Sequence, residues 1–315
     1  MLERARGRAA DLGYAAGWGV LRSVPRPISQ RWFRAVADAA TVRNGAGAQQ
    51  LRKNLRRVVG PHVSELKMDQ LVGDALRSYG RYWLETFRLP RMDLRAVAAK
   101  ANAATVGADH IEAALERGNG AILALPHSGN WDIAGVWLVA RHGPFATVAE
   151  RLNPESLFQR FVAYRESLGF EIIAASGGQQ PPMELLAERL RANRVICLLA
   201  DRDLSRKGVE VDFFGARTRM PPGPALLAAT TGAALLPVHL WFTPDGWGQT
   251  ILPGIEPAGT RLHDQVRHGT QRLADCFAHE IKRHPADWHM LQPLWLEDLA
   301  PRPERPAPDA SLSNR

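Results

Sequence analysis

From about residue 101 the chain alternates between two textures. Apolar runs recur at 103–106, 121–126, 144–149, 170–175, 194–200 and 234–241, and stretches of helical character fill the gaps at 109–117, 131–141, 154–168, 181–192, 223–231 and 261–284. Strands joined through helices cannot pair as tight hairpins. They need crossovers, and the sheet that results is largely parallel and covered on both faces. Burial on both faces also explains why the runs are apolar throughout rather than alternating. The pattern predicts an α/β fold with a largely parallel central sheet flanked by helices. Ligands of such sheets bind beyond the C-terminal strand ends. His127, Glu150 and Asp201 each fall just after an expected strand, so three strands deliver polar groups to one edge.

The first hundred residues read differently, as helices. Candidates are Ala9 to Leu21, 28–42, 46–59 and 64–88; the last places Leu71, Ala75, Tyr79, Trp83 and Phe87 at near-helical spacing, the pattern of a core face. In the first, Tyr14, Trp18 and Leu21 share a face, with Arg4, Arg6, Arg8, Arg22 and Arg26 flanking it. That is the look of an interfacial helix, although a core-packed helix with a solvated basic end has the same composition. The net charge of +8 is concentrated here: residues 1–60 hold 12 Lys and Arg against 3 Asp and Glu, while the remainder holds 28 against 29. A basic pole favours an anionic surface, lipid headgroups or nucleic acid. No nucleic-acid-binding motif follows it, which leaves the membrane as the expected partner. Lys53, Arg56 and Arg57 belong to the same pole, as lipid contacts or solvated groups. The division expected is a membrane-associating helical region over 1–100, an α/β core over 101–299 and a disordered proline-rich tail over 300–315.

Several classes of protein are disfavoured. The opening residues lack a signal-peptide pattern. The longest uncharged stretch, Met220 to Pro244, has 25 residues, but Pro221, Pro222, Gly223, Pro224 and Gly232 break it into a short helix and a strand. Two cysteines, Cys197 and Cys276, are too few for a disulfide framework, and Cys197 sits in an apolar run as a core residue. No metal-ligand spacing, G-x-S-x-G elbow or nucleotide-phosphate loop is present. His239 and His268 read as structural or surface groups, and Phe213 and Phe214 as packing anchors at a strand end.

The chemistry concentrates in His127-Ser-Gly-Asn-Trp-Asp132, between the apolar runs Ala121–Pro126 and Ile133–Ala140. On a continuous helix, five residues rotate by about 500°, so His127 and Asp132 would face apart. A turn removes that obstacle. Gly129 permits unusual backbone angles and Asn130 is a good N-cap for a helix starting at Trp131. Asp132 then lies in the first turn, where the helix dipole favours its ionised form. Such a carboxylate is expected to orient the imidazole, leaving the other ring nitrogen as a base. A capped helix with an incidental His would share the same spacing. With no distinct serine nucleophile, a His–Asp pair suits direct transfer, in which the His deprotonates an acceptor hydroxyl.

These residues resemble the H-x4-D motif of glycerolipid-type acyltransferases. Val211-Asp-Phe-Phe-Gly215, Pro222-Gly-Pro-Ala-Leu-Leu-Ala228 and Thr231-Gly-Ala-Ala-Leu-Leu-Pro-Val238 are similar to later blocks of the bacterial branch that contains the lipid A acyltransferases. A closer resemblance is to the phosphatidylinositol mannoside acyltransferases of mycobacteria and related actinobacteria. It is carried by Asp11–Trp18, Leu123–Asp132, Gly135–Val139, Val148–Arg151, Tyr164–Phe170 and Asp201–Leu204, and spans about residues 10 to 297.

The resemblance implies a peripheral enzyme at the cytoplasmic face of the cell membrane. It implies transfer of a fatty acyl chain, typically palmitoyl, from acyl-CoA to the 6-hydroxyl of the mannose on the inositol 2-position of phosphatidylinositol mono- or dimannoside. Acyl-CoA enters as co-substrate, with no resident cofactor or metal. His127 is implied as general base and Asp132 as its partner, with Glu150 and Arg165 lining the site. Asp201 stands where the family carries an acidic residue near the acceptor sugar, Glu in close relatives and one methylene longer; Arg202 follows it. Arg151 or backbone N–H groups are candidate oxyanion donors. The Trp- and Leu-rich helices at 131–140 and 223–229 are candidates to line an acyl groove. A lipid A-type enzyme using acyl carrier protein, a thioesterase and a non-catalytic membrane-binding protein are the alternatives.

Overall fold

The computed structural model describes residues 24–151, 154–205 and 207–299. The candidate helix Ala9–Leu21 and the proline-rich tail lie outside the described residues. The first elements are three helices, α1 (Arg26–Arg43), α2 (Ala46–Val59) and α3 (Glu65–Arg88). They pack through Leu51, Leu55, Met68 and Val72, all buried. Ser64 caps α3, its hydroxyl accepting from the Lys67 N–H. A fourth helix, α4 (Leu94–Asn102), was not resolved as a separate element by periodicity; Asp93 caps it by accepting from Arg95 and Ala96.

The α/β part follows as β1 (Thr105–Val106), α5 (Asp109–Glu116), β2 (Ala121–Leu125), α6 (Trp131–His142), β3 (Phe145–Ala149), α7 (Glu155–Glu166), β4 (Phe170–Ala174), α8 (Pro182–Arg191) and β5 (Val195–Leu199). Then come β6 (Val209–Phe213), β7 (Ala216–Met220), α9 (Gly223–Thr231), β8 (Ala234–Phe242), β9 (Trp247–Ile251) and α10 (Leu262–Arg283). The seven-stranded sheet has the order β1-β9-β8-β2-β5-β3-β4. Every pair is parallel except β8 with β9. Alternate residues of β2 enter opposite layers. Ile122 and Ala124 join the core under α8, α9 and α10, whereas Ala121, Leu123 and Leu125 join the core under α4, α5 and α6.

Two elements fall outside the strands expected from the sequence. β9 is short and contains Gly248, so it has little strand signature of its own. It is held as the partner of β8, and any Cβ on Gly248 would lie 2.2 Å from the Trp241 ring. β6 and β7 form a separate hairpin turned by Phe214 and Gly215, both at positive φ, as a two-residue loop of this handedness requires. Phe213 is buried there, as a packing anchor. The uncharged stretch Met220–Pro244 is divided among β7, α9 and β8. Among the described residues no helix is long and apolar enough to cross a membrane.

The strand order positions the site. β2 leads through α6 towards β3 on one side, while β5 leads through the hairpin and α9 to β8 on the other. The two connections cover opposite faces of the sheet, which leaves a crevice at the C-terminal ends of β2 and β5. His127 and Asp201 follow those two strands, and Glu150 follows β3, the other neighbour of β5.

Candidate active site

The β2–α6 turn is tightly determined. Gly129 has φ +55°, and a Cβ there would come within 2.9 Å of the Leu240 and Trp241 backbone. Asn130 caps α6, its side-chain oxygen accepting from the Ile133 N–H at 3.1 Å. Its amide donates to Glu85 of α3 at 2.9 Å, and Glu85 also accepts from the Trp247 indole at 2.7 Å. The turn is therefore clamped by a helix from the N-terminal region.

The partner of His127 is Asp201. His127 Nδ1 lies 2.6 Å from Asp201 Oδ1, and the His127 backbone N–H donates to Oδ2 at 2.9 Å. Trp288 adds a third donor, its indole N–H reaching Oδ2 at 3.0 Å. A carboxylate only accepts, so Nδ1 carries a proton, and in the neutral ring the lone pair is on Nε2. Burial alone raises the Asp201 carboxyl pKa. The His127 ring and N–H, with the Trp288 indole, reverse that and hold it below the ordinary carboxylate value.

Asp132 is engaged elsewhere, which corrects the pairing expected from the H-x4-D spacing. It is fully buried, accepts from Arg165 Nε at 3.0 Å and from the Thr86 hydroxyl at 3.3 Å. The physical reason is the turn itself. It breaks the helix before Asp132, as expected, but sends the imidazole across to the end of β5 while Asp132 points from the first turn of α6 towards α3 and α7. Burial disfavours the charged Arg165, yet the Asp132 carboxylate holds its pKa above the ordinary guanidinium value.

His127, Glu150, Arg165 and Arg202 line one groove of about 260 Å³, with aromatic walls from Tyr79, Tyr82, Trp83 and Trp131. Tyr79 and Trp83 thus face the groove, where helical spacing alone had assigned them to core. Arg151 does not line it. Its guanidinium donates to Glu155 at 2.7 and 2.9 Å and to the Ser176 and Gly177 carbonyls. An ion pair four residues along the chain outcompetes the site for this side chain.

Trp131 and Arg165 also line a second, smaller cavity, of about 70 Å³, between α6 and the sheet. Its walls are mostly apolar, including Leu123, Trp137, Phe145 and Phe170. Cys197 belongs to this lining, and burial pushes its thiol pKa up. The cavity uses the 131–140 helix but not the 223–229 one, which packs on the other sheet face. Lys53 is exposed, whereas Arg56 pairs with Glu65 and Arg57 with Glu297 and Asp298. Among the described residues no group of three or more His, Cys, Asp or Glu could hold a metal ion.

Sequence reasoning missed Ser78, Asp287 and His289. Ser78 Oγ lies 2.6 Å from Asp287 Oδ1 and 2.9 Å from His289 Nε2. The His289 backbone N–H donates to the His127 carbonyl at 2.8 Å, and His289 lines the same groove. These residues come from the middle of α3 and a loop beyond α10, with no local motif to announce them.

The arrangement is an imidazole oriented by a carboxylate, facing a groove that adjoins an apolar cavity. The model of the family described as bacterial lipid A biosynthesis acyltransferase matches residues 4–297. A protein of Mycolicibacterium smegmatis named phosphatidylinositol mannoside acyltransferase is 55% identical over 294 residues, 93% of this chain and 94% of its own. A Mycobacterium tuberculosis protein of the same name is 56% identical over 292 residues, 93% of this chain and 90% of its own. With the family model matching residues 4–297 and relatives more than half identical over 93% of the chain, the chain belongs to the bacterial lipid A biosynthesis acyltransferase family and is an acyltransferase.

Proposed function

We propose that the enzyme transfers a fatty acyl group, palmitoyl in the first instance, from acyl-CoA to the 6-hydroxyl of a mannose of phosphatidylinositol mono- or dimannoside. The observation that carries this reading is the His127–Asp201 pair at the junction of a polar, aromatic groove and an apolar cavity. The names of the relatives supply the acceptor class. Sugars stack on aromatic walls, and an acyl chain needs an apolar enclosure, for which the apolar lining under α6 supplies the chemistry.

In the step proposed, His127 Nε2 takes the proton of the acceptor hydroxyl as its oxygen attacks the thioester carbonyl carbon. The tetrahedral intermediate collapses, the C–S bond breaks, and the imidazolium returns its proton to the leaving CoA thiolate. Asp201 keeps the ring in the Nδ1–H tautomer and stabilises the imidazolium. A positioned base of this kind contributes about 10²–10⁴-fold in rate.

His127→Ala tests the reading. Transfer from radiolabelled palmitoyl-CoA to phosphatidylinositol dimannoside is expected in the wild type and lost in the variant, with the thermal unfolding midpoint unchanged. Retained turnover in the variant would refute the mechanism. We further propose that the enzyme works peripherally on the cytoplasmic face of the membrane, supported by α1, whose Ile28, Trp32 and Val36 are about half exposed at i, i+4 and i+8 beside Arg31 and Arg34.

A further inference from the structure

Two residues that line the groove each carry a buried polar atom that the proposed transfer does not use. Trp131 Nε1 and His289 Nδ1 are both buried without a hydrogen-bond partner among the described residues. One is a donor. The other is an acceptor, because of the groups behind it. Asp287 Oδ2 accepts from the Phe242 N–H at 2.9 Å, and Oδ1 accepts from Ser78, whose hydroxyl has a single proton. With that proton committed to Asp287, the Ser78 oxygen must accept from His289 Nε2–H. Nδ1 is left with a bare lone pair. Burial, with His127 nearby, pushes the His289 pKa down to about 3, so the ring stays neutral.

An orphaned donor and an orphaned acceptor beside the base call for one group that both accepts and donates. The two rings have centroids 6.3 Å apart, and His127 lies 5.9 Å from Trp131. Both rings line the groove that holds His127, and a hydroxyl is the smallest group that can accept from one nitrogen and donate to the other. Leaving both atoms unpaired would cost about 1–3 kcal/mol apiece, so the site is built to be filled by such a group.

We propose that Trp131 and His289 together bind a second hydroxyl of the acceptor sugar, distinct from the one that His127 deprotonates. The indole N–H donates to its oxygen and its proton is accepted by His289 Nδ1. This makes the site selective for a polyol over a simple alcohol. A site that pairs a substrate hydroxyl rejects the analogue lacking it, because its own buried groups are then stranded. The inference rests on the mannoside reading given under Proposed function.

The test uses the full-length enzyme, palmitoyl-CoA and soluble methyl mannosides, each lacking one hydroxyl other than the 6-hydroxyl. In the wild type, one deoxy sugar is expected to show an acceptor KM raised about tenfold. His289→Phe, which keeps the ring packing, should raise the KM of the intact mannoside by a similar factor and should no longer distinguish that deoxy sugar. The KM for palmitoyl-CoA and kcat at saturating acceptor should hold within about twofold. Trp131→Phe should likewise raise the acceptor KM and lose the distinction of that deoxy sugar, the double variant adding little to the acceptor KM, and His289→Asn should restore part of the affinity by placing an amide oxygen near Nδ1. Unchanged acceptor KM in both Phe variants, alongside normal wild-type transfer, would overturn this inference alone and assign the two atoms to a structural water. A wild type that transfers nothing to any mannoside would overturn the functional reading and this inference with it.

Discussion

His127 and Asp201 are separated by 74 residues in the chain and joined by a 2.6 Å contact. His127 and Asp132, five apart, serve different networks. This predicts a separation of phenotypes. Asp201→Asn should lower kcat by about 10²–10⁴-fold with a small effect on either KM, because the imidazole loses the partner that selects its tautomer. Asp132→Ala should instead destabilise the fold by about 3–5 kcal/mol, read from denaturant unfolding, because it strands the buried Arg165. An Asp132→Ala enzyme of wild-type stability would contradict the assignment. The buried histidines add a pH dependence. Burial pushes both His239 and His289 down to about 3. Between the unfolded value near 6.5 and that folded value, the unfolded chain binds more protons than the native state. Stability therefore rises with pH through this window and falls as the solution is acidified below about 6.5. Each histidine contributes a slope of up to about 1.4 kcal/mol per pH unit. Urea unfolding from pH 7 to pH 4.5 should follow that slope, and His239→Gln should make it shallower.

At the scale of elements, α6 has two functions. Its N-terminus seats the β2–α6 turn, and its body forms one wall of the apolar cavity through Trp131, Ala134, Gly135, Trp137 and Leu138. The cavity wall is tightly set: a Cβ on Gly135 would lie 2.4 Å from the Phe170 ring. If this space receives the acyl chain, its length sets donor preference. Ala134→Phe should shift preference from palmitoyl-CoA towards shorter acyl-CoAs, measured as ratios of kcat/KM, since each methylene excluded or accommodated is worth about 1 kcal/mol or more. An unaltered chain-length profile would place the acyl chain elsewhere. The hairpin β6–β7 and strand β9 belong to this scale too. Val209–Phe213 alternates strictly and ends in a Phe-Gly turn, so that hairpin was available from periodicity. β9 was not: its pairing to β8 is a tertiary fact, imposed by a Gly that fits under Trp241.

At the scale of the whole molecule, α3 ties the helical region to the chemistry, through Glu85 to Asn130, Thr86 to Asp132 and Ser78 to His289. The same region carries α1, with its exposed apolar stripe and arginines. Binding to vesicles containing anionic lipid should weaken with added salt and fall several-fold in Trp32→Ala, as judged by co-sedimentation. Binding indifferent to both would exclude α1 as the contact. The alternation of apolar runs and helices was enough to determine a parallel α/β sheet, because burial on both faces leaves a compositional mark on each strand. It was also enough to place His127, Glu150 and Asp201 at one edge, and the turn residues Gly129 and Asn130 in their roles, since positive φ and capping are local demands. Only the tertiary structure decided which carboxylate meets the imidazole. That choice depends on β5 lying beside β2, a neighbour relation between segments distant in sequence, and no local pattern encodes it. For the same reason Ser78, Asp287 and His289 became visible only once α3 and the loop after α10 were brought against the turn.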